Sequence, residues 1–166
     1  MYPSFKKTKA FTIVEIIIAI VILAIISAIV FPAFVRYRAT MDLKGFADNF
    51  AHVMKYAKET AKTVEGSRVE FTRKPEDENK NDYPVGYLYF EIKKPDGTVK
   101  KKMNIPPQIS IWGVPLADNY YDFKADGTLD LSDDLNLTIK STGTKIEGNV
   151  LINKVTGGID LQFQEP

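Results

Sequence analysis

Few side chains in this 166-residue sequence could carry out catalysis or bind a metal ion. With a single histidine, His52, and no cysteine, many catalytic and metal-binding schemes are excluded. Four carboxylates cluster at Asp126, Asp130, Asp133 and Asp134, but their spacing does not match an EF-hand calcium loop. The sequence contains no glycine-rich phosphate loop and no Ser-His-Asp arrangement. We therefore predict no enzyme, no cofactor and no metal site, with calcium at the aspartates as a minor alternative.

One carboxylate lies in an unusual place, because Glu15 stands at the start of a long apolar run. Residues 16–35 contain no charge and only one polar side chain, Ser27. A helix rises 1.5 Å per residue, so this run would cover about 30 Å, the thickness of a bilayer's hydrocarbon core. Insertion scales give a cost of about 2.5–3.5 kcal/mol for a charge at the centre of a membrane helix, and less near its end. The run predicts a membrane segment in which Glu15 needs a partner.

The residues before the run predict its orientation. Lys6, Lys7 and Lys9 form a compact basic cluster, so the N-terminus should stay cytoplasmic and most of the chain should lie outside. A cleaved secretory signal fits poorly, because its apolar core has 7–15 residues followed by paired small residues, which this run lacks. A plain signal anchor explains the length and the basic flank, but it does not explain Glu15.

The sequence Ala10-Phe11-Thr12-Ile13-Val14-Glu15, with the lysines before it and the apolar run after it, resembles the class III signal of type IV pilins and type II secretion pseudopilins. The resemblance implies that prepilin peptidase cuts between Ala10 and Phe11 and methylates the new amine of Phe11. The family usually has glycine at the position of Ala10. Its carboxylate and its proline match Glu15 and Pro32 in register, which identifies the chain as a member of this family.

The resemblance also gives Glu15 a role. Cleavage would place a cation at Phe11, one helical turn away, so the carboxylate could pair with its own amine or with that of a neighbouring subunit. The family favours the second pairing, which would set axial register during assembly. A carboxylate that only reaches the lipid headgroups is the alternative. Pro32 removes a backbone hydrogen bond, which predicts a kink or loosened turn at residues 28–32.

Beyond the membrane the helix is predicted to continue, because apolar residues recur at steps of three and four. Gly66 suits its C-terminal cap. From residue 67 the pattern alternates, and turns at Asp96-Gly97, Asp126-Gly127 and Thr156-Gly157-Gly158 predict hairpins between seven or eight short strands. The apolar stripe of the helix comprises Leu43, Phe46, Phe50, Val53, Met54, Ala57, Ala61 and Val64.

These patterns predict an α+β fold, a long N-terminal membrane-spanning helix followed by an antiparallel β-rich globular head. The predicted domains are a leader (1–10), a transmembrane and assembly helix (11–35), its amphipathic extension (36–65) and an extracytoplasmic head (66–166). Trp112, Tyr120 and Tyr121 could form an exposed stacking platform, although aromatic residues in strands more often fill a core. The lysines at 100–102 could contact phosphate, although on an edge strand they more often prevent aggregation.

Short motifs at the end of the helix and in the head resemble the H-type minor pseudopilins and their FimT-like pilus relatives; they are MKYAKETAKTVEGSRVEFT at the helix end and first strand, and FKADGTLDL and GNVLINKVTGGIDLQF in the head. This resemblance implies a minor pseudopilin of a type II secretion system. A minor pilin of a type IV pilus or DNA-uptake filament is the alternative, and a non-polymerising, membrane-anchored binding domain is the hypothesis from another class. The implied location is the cytoplasmic membrane before assembly into a filament.

The implied partners are prepilin peptidase, other pilins or pseudopilins, and the inner-membrane assembly platform with its ATPase. Nucleic acid is not expected as a partner. The net charge is only +1, and Gly158-Ile159-Asp160 stands where relatives often carry an arginine after the turn glycine.

Overall fold

The computed structural model describes residues 11–77, 86–115 and 118–165. Contacts divide the chain into two compact units between Arg36 and Tyr37. One long helix, α1 (Ile13–Thr63), contributes to both units and precedes the strands. The eight strands are β1 (Ser67–Arg73), β2 (Tyr87–Lys93), β3 (Val99–Asn104), β4 (Ile109–Trp112), β5 (Tyr120–Phe123), β6 (Leu135–Ser141), β7 (Glu147–Ile152) and β8 (Ile159–Gln164), with a 3₁₀ turn at Pro75–Asp77.

Within the described part of the first unit, residues 16–35 are apolar on every side. All of these residues are exposed within the chain, and the helix is long and apolar enough to cross a membrane. The hydroxyl of Ser27 donates to the carbonyl oxygen of Leu23 at 2.7 Å, so the one polar side chain of residues 16–35 is satisfied inside the helix. The helix continues through Pro32. A helix apolar all round is suited to lipid or to a bundle of similar helices.

The second half of α1, residues 37–63, packs against the head through one stripe. The predicted stripe is confirmed up to Ala61, whereas Val64 lies beyond the helix and is half-buried. Ala47 and Ala51 extend the stripe, and their small side chains allow close approach of the strands. The buried residues of the helix are Leu43, Phe46, Ala47, Phe50, Ala51, Val53, Met54, Ala57, Thr60 and Ala61.

The left-handed residue that ends α1 lies one position before Gly66, the predicted cap. The residue in the left-handed conformation is Glu65, with φ of 61°, and Gly66 follows it with φ of 127°. The amide of Gly66 donates to the carbonyl oxygen of Ala61 at 2.8 Å, which is the 6→1 hydrogen bond of a Schellman motif. Gly66 therefore takes part in the cap, but the strained position is occupied by a glutamate.

The strands form two four-stranded antiparallel sheets, with orders β3-β2-β1-β5 and β4-β6-β7-β8. This confirms the predicted antiparallel, β-rich head. The hairpins at Asp96-Gly97 and at residues 156–158 are present. The hairpin predicted at Asp126-Gly127 is incomplete, because its second arm forms only a single bridge between Phe123 and Leu129.

An aromatic cluster joins the helix to the first sheet. The ring of Phe50 lies edge-on to that of Phe90 with centroids 5.1 Å apart, and Phe71 packs against Tyr87, Phe90 and Tyr121 at 5.3–6.0 Å. Such pairs stabilise a core by about 0.5–1.5 kcal/mol beyond the area that they bury. Residues from α1 and both sheets belong to one continuous core.

The three aromatic residues considered as a stacking platform do not form one. Tyr121 is buried in the core, where its hydroxyl donates to the sulfur of Met54 at 2.7 Å. Trp112 and Tyr120 are half-buried and lie in different sheets. The lysines at 100–102 do lie on an edge strand, β3.

Candidate functional site

The N-terminus of α1 is closed by a reciprocal pair of side chains, Thr12 and Glu15. The Thr12 amide donates to Oε2 of Glu15 at 2.9 Å, and the Thr12 hydroxyl donates to the same oxygen at 3.1 Å. In return, the amide of Glu15 donates to the hydroxyl oxygen of Thr12 at 3.2 Å. This is a capping box, with Thr12 as the N-cap and Glu15 at the third helical position.

The capping box explains a carboxylate at the start of an apolar helix without any second chain. The first four amides of a helix have no partner within the helix, and a negative charge there is favoured by the helix dipole. The sequence analysis missed this role because it treated Glu15 only as a charge in lipid. The signal was readable, since threonine followed three residues later by glutamate before an apolar run is the usual pattern.

The box leaves part of the carboxylate available. Both bonds from Thr12 end on Oε2, and among the described residues no hydrogen bond ends on Oε1 of Glu15. An ionised carboxylate offers about four acceptor positions, so Oε1 can accept a hydrogen bond from a cation of another chain while the box stays closed. The capping role and a role between subunits are therefore compatible.

Apolar side chains surround Glu15 on one side of the helix. Phe11, Ile16, Ala19, Ile20 and Leu23 line an open groove beside it. An amine that paired with Glu15 here would be shielded from water once lipid or another helix covered the groove. Shielding strengthens an ion pair only if both charges remain partnered, because an unpaired charge in such surroundings is costly.

The other predicted site residues are placed as follows. Phe11 is 80% exposed and directly precedes the capping residue Thr12. Pro32 lies inside α1. The other four predicted site residues all belong to the predicted leader and lie outside the described residues: Lys6, Lys7, Lys9 and Ala10. The predictions of cleavage, methylation and topology at these positions stay predictions.

Two of the aspartates considered for calcium accept hydrogen bonds from backbone amides. Asp126 accepts hydrogen bonds from the hydroxyl and the amide of Thr128, at 2.6 and 2.8 Å, and these bonds lower the pKa of Asp126. Asp134 accepts from the amide of Lys154 at 2.8 Å. In the part of the chain that the structure describes, no three His, Cys, Asp or Glu side chains are placed to hold a metal ion. A turn accounts for Asp126, and a long-range backbone contact to the segment after β7 accounts for Asp134.

A cleft of about 540 Å³ opens beside the start of β1 and contains many charged groups. Arg68 donates two hydrogen bonds to Asp122, at 2.8 and 2.9 Å, and its guanidinium lies 3.7 Å from the ring centroid of Tyr120. The hydrogen bonds to Asp122 raise the pKa of Arg68. Lys93 pairs with Glu70 across the strands at 2.9 Å. The side chains thus neutralise each other in pairs, an arrangement typical of a solvated sheet surface.

Comparison with known proteins gives one match in sequence and two in structure. Residues 5–31 match the family model of the prokaryotic N-terminal methylation motif. No curated protein sequence matches the chain. Two crystal structures of the type IV minor pilin FimU from Pseudomonas aeruginosa (strain PAO1) have similar folds. The first matches with a TM-score of 0.56 and 15% sequence identity, and the match covers 76% of this chain and 92% of the FimU chain. The second matches with a TM-score of 0.54 and 16% sequence identity, and the match covers 72% of this chain and 92% of the FimU chain.

At this level of identity the structural match establishes the fold. The chain has the pilin-like α+β fold, with a long apolar N-terminal helix and an antiparallel head, as predicted. It also carries the methylation motif at the start of that helix. Motif and fold together are similar to those of type IV pilin-like proteins.

Proposed function

We propose that this protein is a minor subunit of a filament of the type IV pilus class. The observation that carries the proposal is the first half of α1, where the methylation motif leads into an apolar helix whose side chains are all exposed within the described residues. Before assembly this surface would be covered by lipid in the cytoplasmic membrane. In a filament it would be covered by the corresponding helices of neighbouring subunits.

The predicted processing belongs to this proposal. Prepilin peptidase would cut between Ala10 and Phe11 on the cytoplasmic side, and Lys6, Lys7 and Lys9 would hold the leader there until the cut. Removal of the leader places a methylated amine on Phe11, beside the capping box. Oε1 of Glu15, which takes no part in the capping box, would then accept a hydrogen bond from the Phe11 amine of the next subunit. Other pilins, the assembly platform and its ATPase are the expected partners.

Helices in a membrane gain little by exchanging lipid contacts for contacts with each other. The pair between Glu15 and a neighbouring amine therefore contributes register more than affinity in this proposal. Pro32 would contribute flexibility, because the carbonyl oxygen of Ala28 loses its partner amide at that turn. Local loosening there would let the helix change its path between membrane and filament.

A type IV pilus is the first candidate for the filament system that contains this subunit, because both similar structures are of a type IV minor pilin. A pseudopilus of type II secretion, which the head motifs favoured, is the second, and a DNA-uptake filament belongs with the first. Deletion of the gene separates them by phenotype. Loss of surface pili or of transformation supports the first candidate, and accumulation of secreted proteins in the periplasm supports the second.

Substitutions of Glu15 test the proposal, because capping and charge can be separated. Glutamine at the third helical position still closes a capping box, whereas alanine does not. We expect Glu15→Ala and Glu15→Gln both to reduce incorporation into sheared filaments by at least about tenfold, which corresponds to about 1.4 kcal/mol. The chain should remain in the membrane in both variants.

Thr12→Ala is the matched control, since it removes the threonine side chain from the box and keeps the charge. It should reduce incorporation less than either Glu15 variant. If Glu15→Gln assembled as well as the wild type, Glu15 would serve as a cap alone and the inter-subunit pair would be wrong.

A further inference from the structure

The two sheets of the head have four edge strands, and three of them are protected. β4 and β5 have only four residues each, and the outer side of β5 is bridged by Leu129. β3 has six residues and carries three exposed lysines at 100–102. Short length and lysine side chains are two of the common ways in which proteins prevent edge strands from pairing.

β8 (Ile159–Gln164) has neither protection. It is the last strand of the order β4-β6-β7-β8, it has six residues, and its sequence IDLQFQ contains no lysine, arginine or proline. Its neighbour β7 pairs with it in unbroken register from Glu147↔Gln164 to Ile152↔Ile159. A regular strand of this length offers a straight row of backbone groups on its free side.

The register identifies the backbone groups on the free side. The amide of Asn153 donates to the carbonyl oxygen of Gly158 at 2.8 Å, directly after the last paired residues of the ladder. Hydrogen-bonded pairs alternate along an antiparallel ladder, so the backbone groups of Ile159, Leu161 and Phe163 point away from β7. Within residues 11–77, 86–115 and 118–165, no backbone bond outside the ladder reaches these three amides.

The side chains of β8 give the edge two different faces. Ile159 and Leu161 pack partly against the core, and Phe163 lies opposite Gly148 with 37% of its surface exposed. The other face carries Asp160, an exposed carboxylate that accepts a hydrogen bond from the side-chain amide of Gln162 at 2.8 Å. An added strand would extend the apolar row on one face and meet negative charge on the other.

We propose that β8 accepts an extended segment of a neighbouring, different filament subunit by β-strand addition. The segment would have apolar residues on the face toward Leu161 and Phe163, and polar or basic residues on the face toward Asp160. The backbone bonds would provide affinity and the two faces would provide specificity. The inference rests on the proposed function, because helices packed in one filament would hold the two heads at high effective concentration, and a weak contact of six residues then suffices.

Site-specific crosslinking in the native host tests this contact. A photo-crosslinking residue is placed at Gln162 on β8 in the full-length chain, and the matched control carries it at Asn136 on the central strand β6, exposed on the same face of the sheet. We expect the Gln162 position, in the filament fraction, to give an adduct with another pilin-type subunit. Peptide mapping should place that adduct in one extended segment, and Asn136 should give at least about tenfold less of it.

Two substitutions then test whether the contact uses the backbone. Leu161→Pro removes an outward amide, which an edge strand tolerates, whereas Leu161→Ala shortens the same side chain and keeps the amide. The adduct should fall about tenfold in Leu161→Pro and be retained in Leu161→Ala. Asp160→Lys copies the lysine protection of β3 without changing the backbone and should also lower the adduct, while Asp160→Asn, which only removes the charge, should lower it less.

Each outcome has a defined meaning. A chain that enters filaments but gives no adduct at Gln162, or the same adducts at Gln162 and Asn136, overturns the inference and leaves the proposed function standing. An adduct with a second copy of this chain, or equal loss in the two Leu161 variants, also overturns it. A chain that is absent from the filament fraction overturns the proposed function and this inference with it.

Discussion

The two halves of α1 belong to one continuous helix but have different surfaces. Residues 16–35 are apolar on every side, and none of them is buried in the chain. Residues 37–63 have an apolar stripe that is buried against the strands and polar residues on the remaining faces. The difference lies in periodicity, because the second half repeats its apolar residues every three or four positions and the first half does not.

The two halves of α1 are therefore suited to two different environments, the core of the head for the second half and an apolar surrounding for the first. The second half completes the core of the head and depends on the residues of its own chain. The first half makes no such contribution, so its apolar surface is available to lipid and to other subunits. Substitutions should therefore act on folding in the second half and on assembly in the first.

The largest expected effect is that of Phe50→Ala in the second half. Phe50 is fully buried and its ring contacts those of Phe46, Phe71 and Phe90. Its truncation should lower the free energy of unfolding of the head by about 3–5 kcal/mol. The measurement is guanidinium unfolding of the detergent-solubilised full-length chain, followed by fluorescence of its single tryptophan, which lies in the head.

Ile22→Ala in the first half is the matched control, because Ile22 is 53% exposed within the chain. It should change the head's unfolding free energy by less than about 0.5 kcal/mol. A large loss of head stability in Ile22→Ala would break the comparison between the two halves.

A smaller effect is expected where a turn of the head meets the second half of the helix. Lys58 donates to the carbonyl oxygen of Thr156 at 2.9 Å, and Gly157 has φ of 59°. A Cβ on Gly157 would lie 1.9 Å from the carbonyl oxygen of Gly127. Gly157→Ala should therefore destabilise the head by about 1–3 kcal/mol in the same unfolding experiment.

Gly45→Ala should change the head's unfolding free energy in the opposite direction and is the matched comparison for Gly157→Ala. Gly45 lies in the second half of α1, and an added Cβ there meets nothing within 4 Å. Replacement should stabilise the head by about 0.8–1.0 kcal/mol through helix propensity. Equal effects of the two glycine substitutions would contradict the close contact at Gly157.

An effect similar in size to that of Gly45→Ala is expected at the end of the second half. Glu65 is a glutamate in the left-handed conformation, which costs a non-glycine residue about 1–2 kcal/mol. Glu65→Gly should stabilise the head by about 1 kcal/mol, as read from its thermal midpoint. Glu65→Ala removes the same charge and keeps the strain, so its midpoint should stay near that of the wild type; an equal gain in both variants would assign the effect to charge.

Much of this architecture could be predicted because local signals and final structure agree. The change from apolar to amphipathic periodicity predicted the buried stripe up to Ala61, and Asp96-Gly97 predicted a hairpin of adjacent strands. Both signals depend on residues close in sequence. The division into two sheets was not predicted, because the pairings of β1 with β5 and of β4 with β6 join strands that are distant in the chain.

The remaining differences have local physical causes. The residues after Asp126-Gly127 form only one bridge, between Phe123 and Leu129, and the amide of Leu129 donates to the carbonyl oxygen of Lys154 in another part of the head. At the end of α1 a glycine appeared to be the cap, but the hydrogen bond from Gly66 to Ala61 places Glu65 in the left-handed position. At the start of α1 the Thr12–Glu15 pattern was present, and its capping role was missed because the membrane interpretation explained the carboxylate differently.

The most direct test of the account is the mass of the N-terminal peptide of this protein, isolated from sheared filaments and from membranes of its native host. The account predicts a chain in both fractions that begins at Phe11 with one added methyl group. A chain that still begins at Met1 and is confined to the membrane, in cells with active prepilin peptidase, would contradict it. The protein would then be an anchored extracellular domain, and its function would lie in the β-rich head.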